Sequence, residues 1–340
     1  MTEASPVPGA TSAPAEDPSA PSAPGPDAQA VAAACYRLLL GREPENAAVV
    51  AANARFPSYE ALLANFLTSE EHVRRAPPHF AGLTGATAPR IDVDVTPDAL
   101  AAMFERIRAE WSGLGEVDPY WSVLTDESYR GQAIGESQLR SFYESGYATA
   151  GTIDAFADRC GVTVAADWDC LEFGCGVGRV TIPLARRFRR VIAVDVSAGN
   201  LELCRRALAG EGLENVETRL IASPQDVAAL PGYDFLFSTI VFQHNPPPVQ
   251  RYLLEVLLSK IATPGGYLFQ VPTHTQGYRF EAEEYLRTPP AGMEMHSLPM
   301  AHVMRLLAAR GLPPLEVLMD AWTGLYGSHT FFGVGGATAG

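Results

Sequence analysis

Three glycines at alternate positions, Gly174, Gly176 and Gly178, follow a short apolar run in the segment 171–179, Leu-Glu-Phe-Gly-Cys-Gly-Val-Gly-Arg. Because glycine has no Cβ, a ligand can lie directly on such a backbone where a strand turns into a helix. A dinucleotide-binding fingerprint would place its third glycine at position 179, which is Arg179. The spacing therefore predicts a cofactor without a pyrophosphate and disfavours NAD and FAD.

Acidic residues stand near this glycine segment at positions that suit ligand binding. Glu172, just before the first glycine, is predicted to approach the amino-acid end of a cofactor. Asp195 closes the next apolar run, where a carboxylate can accept hydrogen bonds from both hydroxyls of a ribose. Asp226 lies beyond the third run and is predicted near an adenine ring. The predicted cofactor-binding set also contains the three glycines, Cys175, Val196 and Tyr143.

Two histidines follow predicted strands. His244 and His274 come after the fourth and fifth apolar runs. Ligands of open parallel sheets bind beyond the carboxyl ends of the strands, so both imidazoles are expected at that edge. A neutral imidazole can take a proton from a hydroxyl at physiological pH, which makes both residues candidates for a general base. The alternative for His244 is a structural role, in which it tethers the loop.

An insertion over residues 274–297 and the start of the last predicted strand carry further polar and aromatic side chains. Flat aromatic faces suit sugar rings or aromatic acceptors, and a closed lid would keep water away. The alternative is that these aromatics only pack against their neighbours. No His-x-x-x-His spacing supports a metal site among the histidines, and no metal is predicted. The residues predicted to contact an acceptor are Tyr278, Glu294, His296 and His329.

From Asp167 onward, short apolar runs alternate with helical patterns, which is typical of a parallel α/β sheet. The predicted strands are Cys170–Phe173, Val191–Val196, Val216–Ala222, Asp234–Val241 and Tyr267–Val271, with Leu315–Ala321 and His329–Gly335 as an antiparallel pair that closes the sheet. The predicted helices lie near 178–188, 197–210, 246–262 and 298–311.

This region resembles a class I S-adenosylmethionine-dependent methyltransferase over about residues 140–335. The resemblance rests on the glycine segment, on Asp195, and on the segments Gln243-His-Asn-Pro-Pro247 and Thr263-Pro-Gly-Gly266. It implies a Rossmann-like, mostly parallel sheet with an antiparallel last strand, and S-adenosylmethionine as the cofactor. One departure concerns the acid that contacts adenine, since the family often has it where this chain has Ser223-Pro224, which leaves Asp226 as its substitute.

Upstream of this region the chain changes in character. The predicted divisions are a disordered Pro/Ala leader at 1–28, a small helical domain at 29–80, a linker and aromatic-rich helical cap at 81–150, and the methyltransferase domain at 151–340. The stretches Tyr36–Pro44 and Phe66–His72 resemble a small bacterial helical module of unknown function found beside enzymes of surface-polysaccharide assembly. The alternative is an ordinary helical hairpin. Thr68–Glu71 is a capping signal for a third short helix.

Composition narrows the class of protein. The 340 residues include 25 Lys and Arg against 39 Asp and Glu, a formal net charge of −14, which argues against nucleic acid or an anionic membrane surface as partner. The five cysteines show no Cys-x-x-Cys spacing, so a reducing cytoplasm is expected. No apolar run is long enough to span a membrane, and no secretory signal is predicted. Composition gives no prediction of the oligomeric state.

These observations give three hypotheses about function. The first is O-methylation of a glycan or sugar-bearing precursor, motivated by the glycine and acid pattern and by the resemblance of the N-terminal module. The second keeps the methyltransferase but takes a small-molecule secondary metabolite as the acceptor. The third is a non-catalytic, methyltransferase-like scaffold, against which the intact Glu172, glycines and Asp195 count.

Overall fold

The computed structural model describes residues 28–67, 69, 71, 90–131, 134–275, 277–320 and 327–335. Most of the predicted leader, the linker before residue 90 and half of the capping signal at 68–71 lie outside the described residues. The chain divides into two compact units, Met1–Thr87 and Ala88–Gly340. The aromatic-rich region up to residue 150, predicted as a separate cap, therefore belongs to the same unit as the sheet.

The first unit is helical in its described part. Its helices are α1 (Ala28–Leu39), α2 (Ala47–Asn53) and α3 (Tyr59–Leu67). The buried rings of Tyr36 and Phe66 meet edge to face, with centroids 4.9 Å apart. Asn53 donates a hydrogen bond to the Tyr36 hydroxyl, so the polar end of this ring is satisfied inside the small core.

The second unit is built on one seven-stranded sheet. Its strands are β1 (Asp169–Phe173), β2 (Arg190–Asp195), β3 (Val216–Leu220), β4 (Tyr233–Ser238), β5 (Ile261–Pro272), β6 (Glu316–Asp320) and β7 (Ser328–Gly335). Their order across the sheet is β3-β2-β1-β4-β5-β7-β6. The first five strands are parallel, and β7 pairs antiparallel with both β5 and β6. This confirms the predicted Rossmann-like sheet and its antiparallel closure.

Helices lie along the chain between and before these strands. They are α4 (Pro97–Val117), α5 (Pro119–Val123), α6 (Glu136–Ala150), α7 (Thr152–Cys160), α8 (Thr181–Arg187), α9 (Ala198–Gly210), α10 (Pro224–Ala228), α11 (Pro247–Ser259), α12 (Ala282–Arg287) and α13 (Met300–Ala309), with single 3-10 turns at Glu127–Tyr129 and Phe242–His244. The short helices α10 and α12 are absent from the sequence-based prediction.

The central strands are buried on both faces, which explains their continuous apolar runs. Leu171 and Phe173 of β1 pack in one core cluster, and Cys170 of the same strand packs in another on the opposite face. Phe104 and Ile107 of α4 belong to the first of these clusters. Helix α4 therefore forms part of the wall of this unit.

Two predicted boundaries were wrong. Strand β4 was expected to continue to Val241 but ends at Ser238, because Ile240 adopts a left-handed backbone conformation with a φ of 59°. The apolar residues after Ser238 belong to a loop that covers the glycine segment. Strand β5 begins at Ile261 and includes the predicted turn 263–266 as an irregularity in its pairing with β4. In the part of the chain that the structure describes, no helix is long and apolar enough to cross a membrane.

Candidate functional site

A cavity of about 370 Å³ lies at the carboxyl edge of the sheet, above the glycine segment. Its walls come from α4, from the segment after α5, from the ends of β1, β2 and β4, and from residues near 293–295. Cavities of this size suit small ligands and cofactors. The predicted cofactor-binding residues that line it are Glu172, Gly174, Cys175, Gly176, Asp195 and Val196.

The glycine segment needs its glycines for two physical reasons. Gly174 and Gly176 have φ values of 80° and 54°, a region that side-chain-bearing residues rarely adopt. A Cβ on Gly174 would overlap Val241, and one on Gly176 would overlap Val123. Gly178 does not line the cavity, and a Cβ there would lie 2.9 Å from the Cys204 thiol sulfur. Gly178 therefore serves helix packing.

Asp195 joins the end of β2 to the glycine segment. One carboxylate oxygen accepts the backbone N–H of Gly176 at 2.8 Å, and the other accepts that of Ser197 at 2.8 Å. Burial raises the pKa of Asp195, and these backbone hydrogen bonds act in the opposite direction. A carboxylate oxygen has two lone-pair sites, so each oxygen can still accept a hydrogen bond from a ligand.

Glu172 and Arg179 place opposite charges at the glycine-loop end of the cavity. Glu172 is 3% exposed and its Oε2 atom has no hydrogen-bond partner. Burial raises the pKa of Glu172 to about 7, although the Thr181 hydroxyl and the Arg179 guanidinium both favour its ionised form. Arg179 is 6% exposed; it donates to the hydroxyls of Ser145 and Thr149, while its Nε finds no partner.

Two buried amide side chains add further unpaired atoms to the cavity wall. Asn200 on α9 and Gln243 in the turn after β4 are 3% and 1% exposed. The Oδ1 of Asn200 and the Oε1 of Gln243 have no partner in the structure. Buried polar atoms are rarely left unpaired, so four residues with such atoms around one cavity are consistent with a polar ligand there.

His244 lies at the acceptor side of the cavity, between α4 and the residues near 294. Its Nδ1 is 3.2 Å from the backbone carbonyl oxygen of Glu294. A carbonyl can only accept, so Nδ1 carries the proton and Nε2 keeps its lone pair. Burial lowers the pKa of His244 to about 4, which keeps the ring neutral at physiological pH. The Trp111 ring packs on the imidazole with centroids 4.6 Å apart.

The structure places two predicted cofactor-binding side chains beside the cavity, not among its lining residues. The Tyr143 hydroxyl donates to the backbone carbonyl of Val177 at 3.2 Å and so supports the glycine segment from behind. Asp226 accepts hydrogen bonds from the backbone of Ala222 and the hydroxyl of Ser223, which begins α10. The Asp226 carboxylate therefore binds the start of α10 and does not line the cavity. The cavity-lining residue after β3 is Ile221.

The second predicted base and the predicted acceptor contacts also lie outside the cavity lining. His274 is exposed after β5. His329 contacts the Thr273 hydroxyl at 2.8 Å. His296 is buried, with the Tyr278 hydroxyl 2.9 Å from its Nδ1 and a Glu294 carboxylate oxygen 3.6 Å from its Nε2. In the described ranges no group of three or more His, Cys, Asp or Glu side chains is arranged to hold a metal.

Several residues that line the cavity were not predicted from the sequence. Arg179 was noted only because it occupies the place of a dinucleotide-binding glycine, although a cation directly after a glycine loop is a signal for an anionic ligand group. Met293 and Met295 come from the long insertion, of which only polar and aromatic side chains were expected at the site. No local pattern connects these distant segments to the glycine loop.

Comparison with known proteins agrees with this geometry. Residues 170–266 match the family model described as a methyltransferase domain. The match agrees with the predicted methyltransferase, and the strand order agrees with its predicted class I fold. Neither the resemblance of the N-terminal module nor the choice of a glycan as acceptor is part of this match.

Curated relatives match short parts of this chain. A tRNA/tmRNA (uracil-C(5))-methyltransferase from Marinomonas sp. (strain MWYL1) is 42% identical over 71 residues, covering 21% of this chain and 19% of that protein. A ubiquinone biosynthesis O-methyltransferase from Leptothrix cholodnii is 27% identical over 128 residues, covering 36% of this chain and 53% of that protein. The chain thus spans from about a fifth to about half of the length of these relatives.

Solved structures resemble the chain over a longer stretch. Magnesium protoporphyrin IX methyltransferase from Synechocystis PCC 6803, solved with bound SAH, aligns with a TM-score of 0.48 and 19% identity, over 68% of this chain and 99% of that chain. The 1,6-didemethyltoxoflavin-N1-methyltransferase of Burkholderia thailandensis aligns with a TM-score of 0.46 and 17% identity, over 76% of this chain and 98% of that chain.

Proposed function

We propose that this protein holds S-adenosylmethionine on the glycine segment and methylates an oxygen atom of an uncharged small molecule with a largely apolar body. The observation that carries the proposal is one cavity lined by residues with unpaired buried polar atoms. These atoms are Glu172 Oε2, Arg179 Nε, Asn200 Oδ1 and Gln243 Oε1. They lie in or beside a methyltransferase domain, at the sheet edge where ligands of parallel sheets bind.

The charged residues around the glycine segment fit the groups of this cofactor. The Glu172 carboxylate suits the ammonium of the methionine portion, and the Arg179 guanidinium suits its carboxylate. The free lone pairs of Asp195 suit the ribose hydroxyls. When bound, the cofactor supplies an electrophilic methyl group together with its own leaving group, so the protein has only to position the acceptor and take its proton.

His244 is the residue we assign to that proton. Its Nδ1–H donates to the Glu294 carbonyl, so Nε2 is the acceptor atom of the ring. The low pKa of His244 keeps this lone pair available throughout the physiological range. Trp111 packs on the ring and holds its orientation. Together with Phe104 and Ile107, Trp111 also forms an apolar wall that excludes water from the cavity.

The acceptor side of the cavity favours an uncharged, apolar-bodied molecule. Its apolar lining residues are Trp111, Leu124, Ile240, Met293 and Met295, and its polar lining residues are all uncharged: Thr125, Thr239, Gln243, His244 and Asn245. The charged lining residues, Glu172, Arg179 and Asp195, all belong to the glycine segment and the end of β2. Two thioethers and an indole pack well against flat apolar groups, which favours an acceptor with a largely apolar body and few hydroxyl groups.

This lining supports the small-molecule alternative over the glycan acceptor. The ubiquinone biosynthesis O-methyltransferase among the relatives is named for O-methylation in the synthesis of a quinone, which is consistent with an acceptor of this chemistry. A non-catalytic scaffold would have no use for a neutral, oriented imidazole beside four unpaired buried polar atoms.

Methyl transfer to three related acceptors tests the proposal. The purified protein is incubated with S-adenosylmethionine and with 4-ethylphenol, 4-hydroxyphenylacetate or phenyl glucoside, and products are analysed by mass spectrometry. We expect the neutral phenol to gain one methyl group with the wild-type protein and not with Asp195→Ala. Methylation of the sugar or of the anionic phenol, with none of the neutral phenol, would contradict the proposed acceptor class.

A further inference from the structure

The segment 293–296 presents alternate side chains to two different environments. Met293 and Met295 line the cavity. Glu294 and His296 do not line it and instead contact residues of α4 and of the insertion. The backbone of this segment is fixed to the turn after β4, since the N–H of His296 donates to the Gln243 carbonyl at 2.7 Å. The segment is therefore a strip of cavity wall whose outer face is polar.

Arg106 of α4 holds this outer face in place. Its guanidinium donates to the Glu294 carboxylate at 2.7 Å and to the backbone carbonyls of Tyr285 and Thr288 at 2.5 and 2.6 Å. It also lies over the Tyr285 ring, 3.9 Å from the centroid. The Arg106 side chain is 11% exposed, and that of Glu294 is 18% exposed. A planar guanidinium can satisfy several acceptors at once, which a single point charge cannot do.

The residue held by Arg106 is also the residue that orients His244. Arg106 binds the side chain of Glu294, and the backbone carbonyl of Glu294 accepts the Nδ1–H of His244 at 3.2 Å. On the other side of this contact, the N–H of His296 donates to the carbonyl of Gln243. A displacement of Glu294 would therefore remove the acceptor that fixes the tautomer of His244.

We propose that Arg106 is a positioning residue for methyl transfer, which fixes the Glu294 carbonyl so that His244 keeps its proton on Nδ1 and its lone pair on Nε2. This inference rests on the proposed function, in which His244 takes the acceptor's proton. It gives Glu294 a role through its backbone, in place of the direct acceptor contact predicted from the sequence.

A tautomer measurement tests this role without an acceptor. The full-length protein is labelled with ¹⁵N-histidine, and the His244 signals are assigned by their absence in His244→Asn. In the wild type we expect Nδ1 to be protonated and Nε2 to be unprotonated at neutral pH. Arg106→Met should give a mixture of both tautomers, and Arg106→Lys, which restores the charge beside Glu294 but not the planar guanidinium, should recover only part of the wild-type signal.

Arg108→Met is the matched control, because Arg108 lies on the same helix but pairs with Glu105 in a more exposed position. It should leave the His244 signals unchanged. Calorimetric titration with S-adenosylhomocysteine runs in parallel and should give affinities within about twofold for all Arg106 and Arg108 variants. A folded Arg106→Met protein that keeps the wild-type tautomer would overturn the positioning role. If the wild-type protein does not bind S-adenosylhomocysteine, the result contradicts the proposed function and not the role of Arg106.

Discussion

Replacing Glu172 with glutamine removes a buried titratable group while keeping its shape. Burial raises the pKa of Glu172 from 4.5 to about 7, and the Thr181 hydroxyl and Arg179 guanidinium only partly offset that effect. The unfolded chain exposes this carboxyl group to water, so its pKa there is the ordinary one. Folding therefore depends on pH through this single side chain.

The sign and size of this dependence follow from the two pKa values. Between pH 4.5 and about 7 the folded protein binds more protons at Glu172 than the unfolded chain does. The contribution of Glu172 to stability is therefore fully present below pH 4.5 and is lost as the pH rises to about 7. The difference between these pKa values corresponds to about 3 kcal/mol of unfolding free energy.

Urea unfolding of the ligand-free protein across this pH range measures the effect. All 4 tryptophans of the chain lie beyond residue 88, so their fluorescence follows the unit that contains Glu172. We expect Glu172→Gln to gain stability relative to the wild type as the pH rises, by up to about 3 kcal/mol. Glu116→Gln, which changes an exposed glutamate of α4, is the control. If the unfolding free energies of the wild type and Glu172→Gln change in parallel with pH, the pKa of Glu172 is not raised by folding and the prediction is wrong.

Three further substitutions probe the cavity and its support. Gly176→Val should abolish cofactor binding, because the valine side chain would overlap Val123. The control Gly113→Ala should bind normally, because its Cβ meets no atom within 4 Å. Equal calorimetric affinities for the two variants would contradict the proposed cofactor site. His244→Asn should slow methyl transfer by roughly 10² to 10⁴-fold with unchanged cofactor affinity. If the same change at His274 slows the reaction instead, the base assignment fails. Gly146→Ala should destabilise the sheet-containing unit by about 1–3 kcal/mol, because a Cβ there would overlap the Arg179 carbonyl oxygen. An unchanged melting temperature would rule out this close packing.

The fold and the glycine end of the site could be predicted because their signals are local. Alternating apolar runs and helical patterns located each parallel strand, with two boundaries wrong: β5 begins at Ile261 and not at Tyr267, and the run after Ser238 leaves the sheet. Apolar side chains in a strand and apolar side chains that line a cavity look the same in a sequence. Ile240 and Val241 were therefore assigned to β4, although they form the loop over Gly174.

The acceptor side could not be predicted because it is assembled from distant segments. Trp111 and Met293 are separated by most of the sheet in sequence and meet only in the folded cavity. The insertion was expected to contribute Glu294 and His296, but neither side chain lines the cavity. The intervening Met295 faces the cavity with Met293, while the polar pair packs behind it.

Calorimetric titration of S-adenosylmethionine into the purified wild-type protein and into Asp195→Ala tests whether the cavity above the glycine segment holds the cofactor. Asp195 joins the end of β2 to the glycine segment and is predicted to accept the ribose hydroxyls. We expect saturable one-site binding to the wild type and binding at least about tenfold weaker to the folded variant. Equal affinities, or no binding to the folded wild-type protein, would contradict the proposal that this cavity holds the cofactor.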